Sequence, residues 1–236
     1  MMEMRVEPRS VGSIVHVVQR GARGLDIVRD TQDYNRFHGL LFYLNDSFSD
    51  PNWLKTTSTF RHLRRPDHWP DRNPLVRILA WTLMPNHFHL LLEEIREGGI
   101  SKFMQRLCGS MSMASNAKYS EKGSLFQGSY KSRTVDTDDY LSYLTYYIQV
   151  KNVLELYPGG LSKAMRHFDD AWSWALQYPF SSFSSYATEL DSPIIDKNRF
   201  FELLDAHLSK HDAREMISLN MQHNDEKYSE LALESW

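Results

Sequence analysis

The apolar residues alternate along the chain between short β-branched blocks and stretches of helical spacing. The segment "SIVHVVQRG" is rich in β-branched residues and stops at Gly21, which predicts a strand over 14–19. A helix is expected over about 33–44, with Phe37, Leu40, Leu41 and Leu44 on one face and Asp30 or Thr31 as its cap. Two further strands, 77–83 and 86–93, flank Met84 and Pro85, where a proline suits a turn and not the middle of a ladder. After Gly98 and Gly99, a helix over 100–119 repeats Phe103, Leu107 and Met111 at a spacing of four, as core contacts.

A turn-rich passage, "EKGSLFQGS", precedes a short strand at 130–135. Asp136 or Thr137 then caps a helix that sends Leu141, Leu144 and Ile148 to the core. Its neighbouring stripe is Tyr143, Tyr147 and Lys151, at the boundary of the buried and accessible faces. Pro158, Gly159 and Gly160 mark a change of direction, followed by Trp172, Trp174, Tyr178 and Phe180, the segment "SSFSS", and helices at about 197–208 and 211–219.

Composition and charge narrow the picture. The chain has 236 residues, enough for one catalytic domain and a smaller appended element, divided as 1–155 and 156–236. The formal charge is -3, but its distribution matters more: residues 1–155 hold 20 Lys or Arg against 17 Asp or Glu, and 156–236 hold 7 against 13. The basic excess therefore falls with the N-terminal patterns. One cysteine, Cys108, excludes an internal disulfide and suits a reducing, cytoplasmic setting. No secretory signal is expected, and no stretch reaches the roughly 18 apolar residues of a membrane span.

The passage "WTLMPNHFHLLLE" carries the most chemistry. On a strand, His87 and His89 share one face, where two neutral imidazoles can hold a divalent cation that also contacts phosphate. They can equally be surface residues or a hydrogen-bonded cluster. A closed zinc centre needs four His or Cys ligands, and only one thiol exists. Tyr140, Tyr143, Tyr146 and Tyr147 are each either packing residues or candidates for attack on a phosphodiester.

Further candidates surround this passage. The loop "FRHLRRPDHWPDRNPLVR" sets Arg61, Arg64, Arg65, Arg72 and Arg77 around Trp69, either as a solvated loop or as a strand-binding loop that grips phosphates and stacks a base. Arg20 suits a salt bridge or a phosphate contact. Lys131 and Arg133 share a strand face and can meet DNA or solvent. His16 reads as a core hydrogen-bonding residue, and Phe126 as structural.

With these residues in view, the chain resembles the REP-associated tyrosine transposases, within the wider single-tyrosine, His-hydrophobic-His insertion-sequence transposases. The likeness runs from "HVVQRG" through "DTQDYNRF", is strongest at "LMPNHFHLLLE", and resumes in "GSLFQGSYKSRTVDTDDYLSYLTYYIQVKNV" and "PFSSFSSY". It implies an α+β, ferredoxin-like antiparallel sheet with packed helices and, here, a helical C-terminal extension. It also implies His87 and His89 as ligands of Mg²⁺ or Mn²⁺, Tyr147 as the nucleophile, single-stranded or hairpin DNA as the partner, and frequent homodimers.

One departure follows the tyrosine. The family pattern carries an amide residue one turn beyond it, whereas Lys151 stands there in this chain, and an ammonium has no lone pair to offer a metal. Lys151 can instead neutralise the scissile phosphate or orient the tyrosine. On an ideal helix Gln149 lies about 200° from Tyr147 and Asn152 about 140°, so Asn152 is the better third ligand. The same departure motivates an alternative reading, a catalytically reduced or domesticated protein that binds DNA hairpins.

Overall fold

The computed structural model describes residues 10–50, 52–53, 63–204, 209–223 and 233. Four strands form one antiparallel sheet in the order β2-β3-β1-β4, with β1 Ile14–Arg20, β2 Arg77–Leu83, β3 His87–Glu93 and β4 Lys131–Thr134. Helices α1 Thr31–Tyr43 and α2 Gly99–Tyr119 connect β1 to β2 and β3 to β4. This β-α-β-β-α-β order is the ferredoxin-like α+β fold, and helices continue the chain beyond it.

Side-chain alternation divides the sheet into two faces. Val15, Val17, Phe88, Leu90 and Leu92 are buried on one of them. There Phe37 of α1 packs on Trp81 and Phe88, and Phe103 and Leu107 of α2 join the same cluster. Asp30, one of the two expected caps, accepts hydrogen bonds from the Gln32 and Asp33 amides at the start of α1.

The opposite face carries His16, Val18, Arg20, His87 and His89, since Arg20 pairs with His87 and Val18 with His89 across the ladder. The segment after β4 packs there. It runs as α3 Asp138–Tyr146, a π-turn Tyr147–Lys151, and a short α4 Asn152–Glu155. Sequence spacing predicts one uninterrupted α-helix, and the π-turn departs from that. Within it the Asn152 amide donates to the Tyr147 carbonyl, five residues back. The Thr82 hydroxyl of β2 donates to the Ile148 carbonyl, which ties the π-turn to the strand beside His89.

The C-terminal segment contains α5 Gly160–Arg166, α6 Phe168–Ala175, α7 Phe183–Ala187, α8 Lys197–Leu203 and α9 Lys210–His223. Gly159 and Gly160 adopt φ of 100° and 74° at the expected change of direction, backbone angles that favour glycine. Phe168, Trp172, Phe183 and Ile217 form a second apolar cluster with Val150, Val153 and Leu154. This segment also bonds along β2. The Leu83 amide donates to Phe180, the Ser182 amide to Trp81 and the Asp196 amide to Ile78, while the Tyr186 hydroxyl donates to the Leu79 carbonyl.

Candidate active site

At the beginning of β3, His87 and His89 come together with Tyr147 of the π-turn. The His87 and His89 ring centroids are 5.0 Å apart, and His89 meets the Tyr147 ring edge-on at 5.5 Å. Tyr147 stacks on Tyr143 at 5.5 Å and is only 4% exposed, so it is more enclosed than the boundary position its helical stripe predicts. His89 is buried and His87 half-buried.

The π-turn changes the geometry beyond Tyr147. An α-turn repeats at the fourth residue and a π-turn at the fifth, so the residue five along takes the position that the fourth would hold in an α-helix. Asn152 therefore stands one turn above Tyr147, and the ideal-helix angle of about 140° does not apply. Lys151 is displaced from that row. Its ammonium bonds the Glu155 carboxylate at 2.7 Å and lies 4.6 Å from the Tyr147 ring centroid.

Asn152 and Gln149 are fully buried, and neither amide has a hydrogen-bond partner among the described residues. Leaving such a group unsatisfied costs roughly 1–3 kcal/mol, so a buried amide in this state has capacity for a polar atom of water or a ligand. No set of three His, Cys, Asp or Glu side chains that could hold a metal occurs among the described residues. His87 and His89, with an amide oxygen of Asn152 or Gln149, are the groups here that could hold a cation.

His87 has a defined neighbour. Asn86 donates through Nδ2 to the Gly24 carbonyl at 3.3 Å, which turns its Oδ1 toward His87 Nδ1, 2.7 Å away. Neither Asn86 nor His16 stands out in the sequence as a site residue. Asn86 is signalled only by its position between Pro85 and His87, and the role of His16 depends on the register between β1 and β3. His16 Nε2 lies 3.0 Å from His89 Nδ1.

Arg20 and Lys131 also come to this end of the sheet. Lys131 pairs with Val18, two residues before Arg20, and burial followed by the charge of Arg20 lowers the Lys131 ammonium below its ordinary range. Two cations held this close form a natural receptor for an anion. Arg133 pairs with His16 one repeat further along, and its guanidinium lies over the Tyr140 ring at 5.5 Å.

The basic loop is not brought to the histidines. It leads into Arg77, at the opposite end of β2 and a strand length of about 20 Å away. Trp69, expected as a stacking platform, is instead a core residue packed on Phe48 and Tyr43. Arg65 lies over its ring and bonds Asp46 and the Pro70 carbonyl, while Arg64 is an exposed partner of Asp67. Arg72 bonds the Pro193 carbonyl and lies over Phe42, and Arg61 lies outside the described residues. Trp69→Ala is accordingly expected to lower the unfolding free energy by about 3 kcal/mol in urea denaturation, with single-strand affinity by fluorescence anisotropy unchanged. Lost affinity with unchanged stability would restore the stacking role.

The ferredoxin-like sheet thus presents two strand histidines beside a helical tyrosine. Residues 72–151 match the family model described as "Transposase IS200 like". The matched segment includes His87, His89 and Tyr147. A solved structure described as a REP-associated tyrosine transposase bound to a REP hairpin is similar at 15% identity, over 83% of this chain and 92% of that chain, with a TM-score of 0.43. No curated protein matches the chain. Among the described residues, no helix is long and apolar enough to cross a membrane.

Proposed function

We propose that this protein cleaves and rejoins single-stranded, hairpin-associated DNA through a 5′-phosphotyrosyl intermediate on Tyr147. The observation that carries the reading is the contact of Tyr147 with His89, beside His87 and below the buried amide of Asn152. In the proposed reaction the Tyr147 phenol oxygen loses its proton and attacks phosphorus. The bond from phosphorus to the 3′ oxygen breaks, and that oxygen leaves and takes up a proton. A free 3′-hydroxyl on another strand later attacks the phosphotyrosine and releases the phenol, which rejoins the DNA without an external energy source.

His87, His89 and Asn152 are the residues proposed to hold Mg²⁺ or Mn²⁺, which when bound polarises the scissile phosphate. Arg20 and Lys131 grip a phosphate of the strand, and Arg133 extends that row. Lys151 contributes positive charge beside the Tyr147 ring and is not itself a ligand. The pairing of Lys151 with Glu155, with Asn152 taking the row above Tyr147, supports an active enzyme over a reduced DNA-binding descendant. Residues 156–236 are proposed as an appended subdomain that braces the sheet and shapes access to the site.

Mn²⁺ titration with and without a hairpin-flanked oligonucleotide tests the reading. Wild type is expected to bind Mn²⁺ more tightly when DNA supplies phosphate oxygens, and the double variant His87→Ala/His89→Ala to lose both metal binding and cleavage. Equal metal affinity and equal cleavage in the two proteins would overturn it.

A further inference from the structure

Two imidazoles can serve a cation together only if each offers it an unprotonated nitrogen. A neutral imidazole has one N–H and one lone pair, so the partner of one nitrogen dictates what the other can do. For His87 the outcome is fixed by chemistry. The Asn86 amide is oriented by the bond from its Nδ2 to Gly24, and the oxygen it presents can only accept. His87 therefore carries its proton on Nδ1 and its lone pair on Nε2.

For His89 the neighbour at Nδ1 is a second imidazole. That nitrogen faces His16 Nε2 at 3.0 Å, with the two rings 14° from parallel and their centroids 5.3 Å apart. The contact is a diagonal across the ladder, since His89 pairs with Val18 and His16 with Leu91. Both side chains are 0% exposed, so bulk water does not compete for the bond.

We infer that His16 is a positioning residue for the metal site, which accepts a hydrogen bond from His89 Nδ1 and so keeps the His89 lone pair on Nε2. This inference rests on the metal reading proposed above. His16 does for His89 what Asn86 does for His87, and both histidines then present the same nitrogen. Partners of this kind, one bond removed from a metal, typically change metal affinity 10–100-fold when lost, by fixing tautomer and ring orientation. The reverse direction, with His16 Nε2 donating, would fit the same distance but would put the His89 proton on Nε2 and leave that nitrogen no lone pair for a cation.

Histidine-selective ¹⁵N labelling of the full chain tests this without metal, because two-bond ring correlations report which nitrogen holds the proton. Wild-type His89 is expected to be protonated at Nδ1. His16→Met, similar in bulk and without an acceptor in place, is expected to shift His89 toward protonation at Nε2 and to weaken Mn²⁺ binding about 10–100-fold. His16→Gln, whose amide oxygen reaches the position of the lost Nε2, is expected to retain the Nδ1 proton and most of the affinity. If His16→Met does not fold, His16→Asn replaces it, because the shorter amide cannot reach His89. The inference is overturned if wild-type His89 is protonated at Nε2, or if removing the acceptor changes neither tautomer nor Mn²⁺ affinity. Failure of wild type to bind Mn²⁺ at all strikes the metal reading instead, and the tautomer spectrum distinguishes the two failures.

Discussion

Tyr147→Phe is expected to abolish the covalent protein–DNA adduct and to reduce cleavage by on the order of 10⁴-fold or more, as removal of a nucleophile does. A labelled hairpin-flanked oligonucleotide incubated with Mn²⁺ and run on a denaturing gel reads the adduct directly, and peptide mapping of the wild-type species identifies the linked residue. The substitution removes one oxygen and leaves the ring stacked on Tyr143 and against His89, so fold and strand affinity are expected to persist. Undiminished adduct in the variant would exclude Tyr147 and return attention to the neighbouring Tyr140, Tyr143 and Tyr146.

The second large effect concerns helix register. Deleting Lys151 removes the extra residue that the π-turn accommodates, and the resulting α-helix keeps an asparagine one turn beyond Tyr147. Mn²⁺ affinity is therefore expected to stay within about threefold of wild type, a difference below 1 kcal/mol. Asn152→Ala leaves the register intact but removes the amide oxygen, and is expected to weaken Mn²⁺ about 100-fold, which corresponds to roughly 2.7 kcal/mol. Lys151→Asn, which matches the family pattern by position, is expected to gain nothing because residue 151 lies off that row. Calorimetric titration of the three variants checks all of this. A gain in affinity from Lys151→Asn, with Asn152→Ala unchanged, would reverse the assignment.

The same turn explains what the sequence could and could not disclose. Strands, two long helices and the shared face of His87 and His89 follow from local periodicity, and Asp30 is recognisable as a cap from its residue type and place. The site beyond Tyr147 was not legible because a helical wheel assumes constant winding, whereas the winding changes at Tyr147–Lys151, where Thr82 captures the Ile148 carbonyl. Sequence spacing alone cannot reveal that capture, since β2 is more than sixty residues away. His16 was hidden for a similar reason: its contact with His89 depends on the pairing of β1 with β3. The loop before β2 misled in the opposite sense. Arginines around a tryptophan suit a nucleic-acid surface by composition, yet Trp69 is held in the core, and Arg65 is used to cover it.

The hydrogen bonds that the segment 178–196 makes to β2 bear on how this protein can meet copies of itself. An outer strand normally offers a row of amides and carbonyls to which another chain can add by ladder pairing. Here Phe180, Ser182, Tyr186 and Asp196 already occupy backbone groups of Ile78, Leu79, Trp81 and Leu83. Self-association by strand addition is thus blocked along this side of the sheet. A chain cut at residue 155 would uncover that row, and the aggregation that followed would reflect an exposed sheet edge and not damage to the histidines or Tyr147.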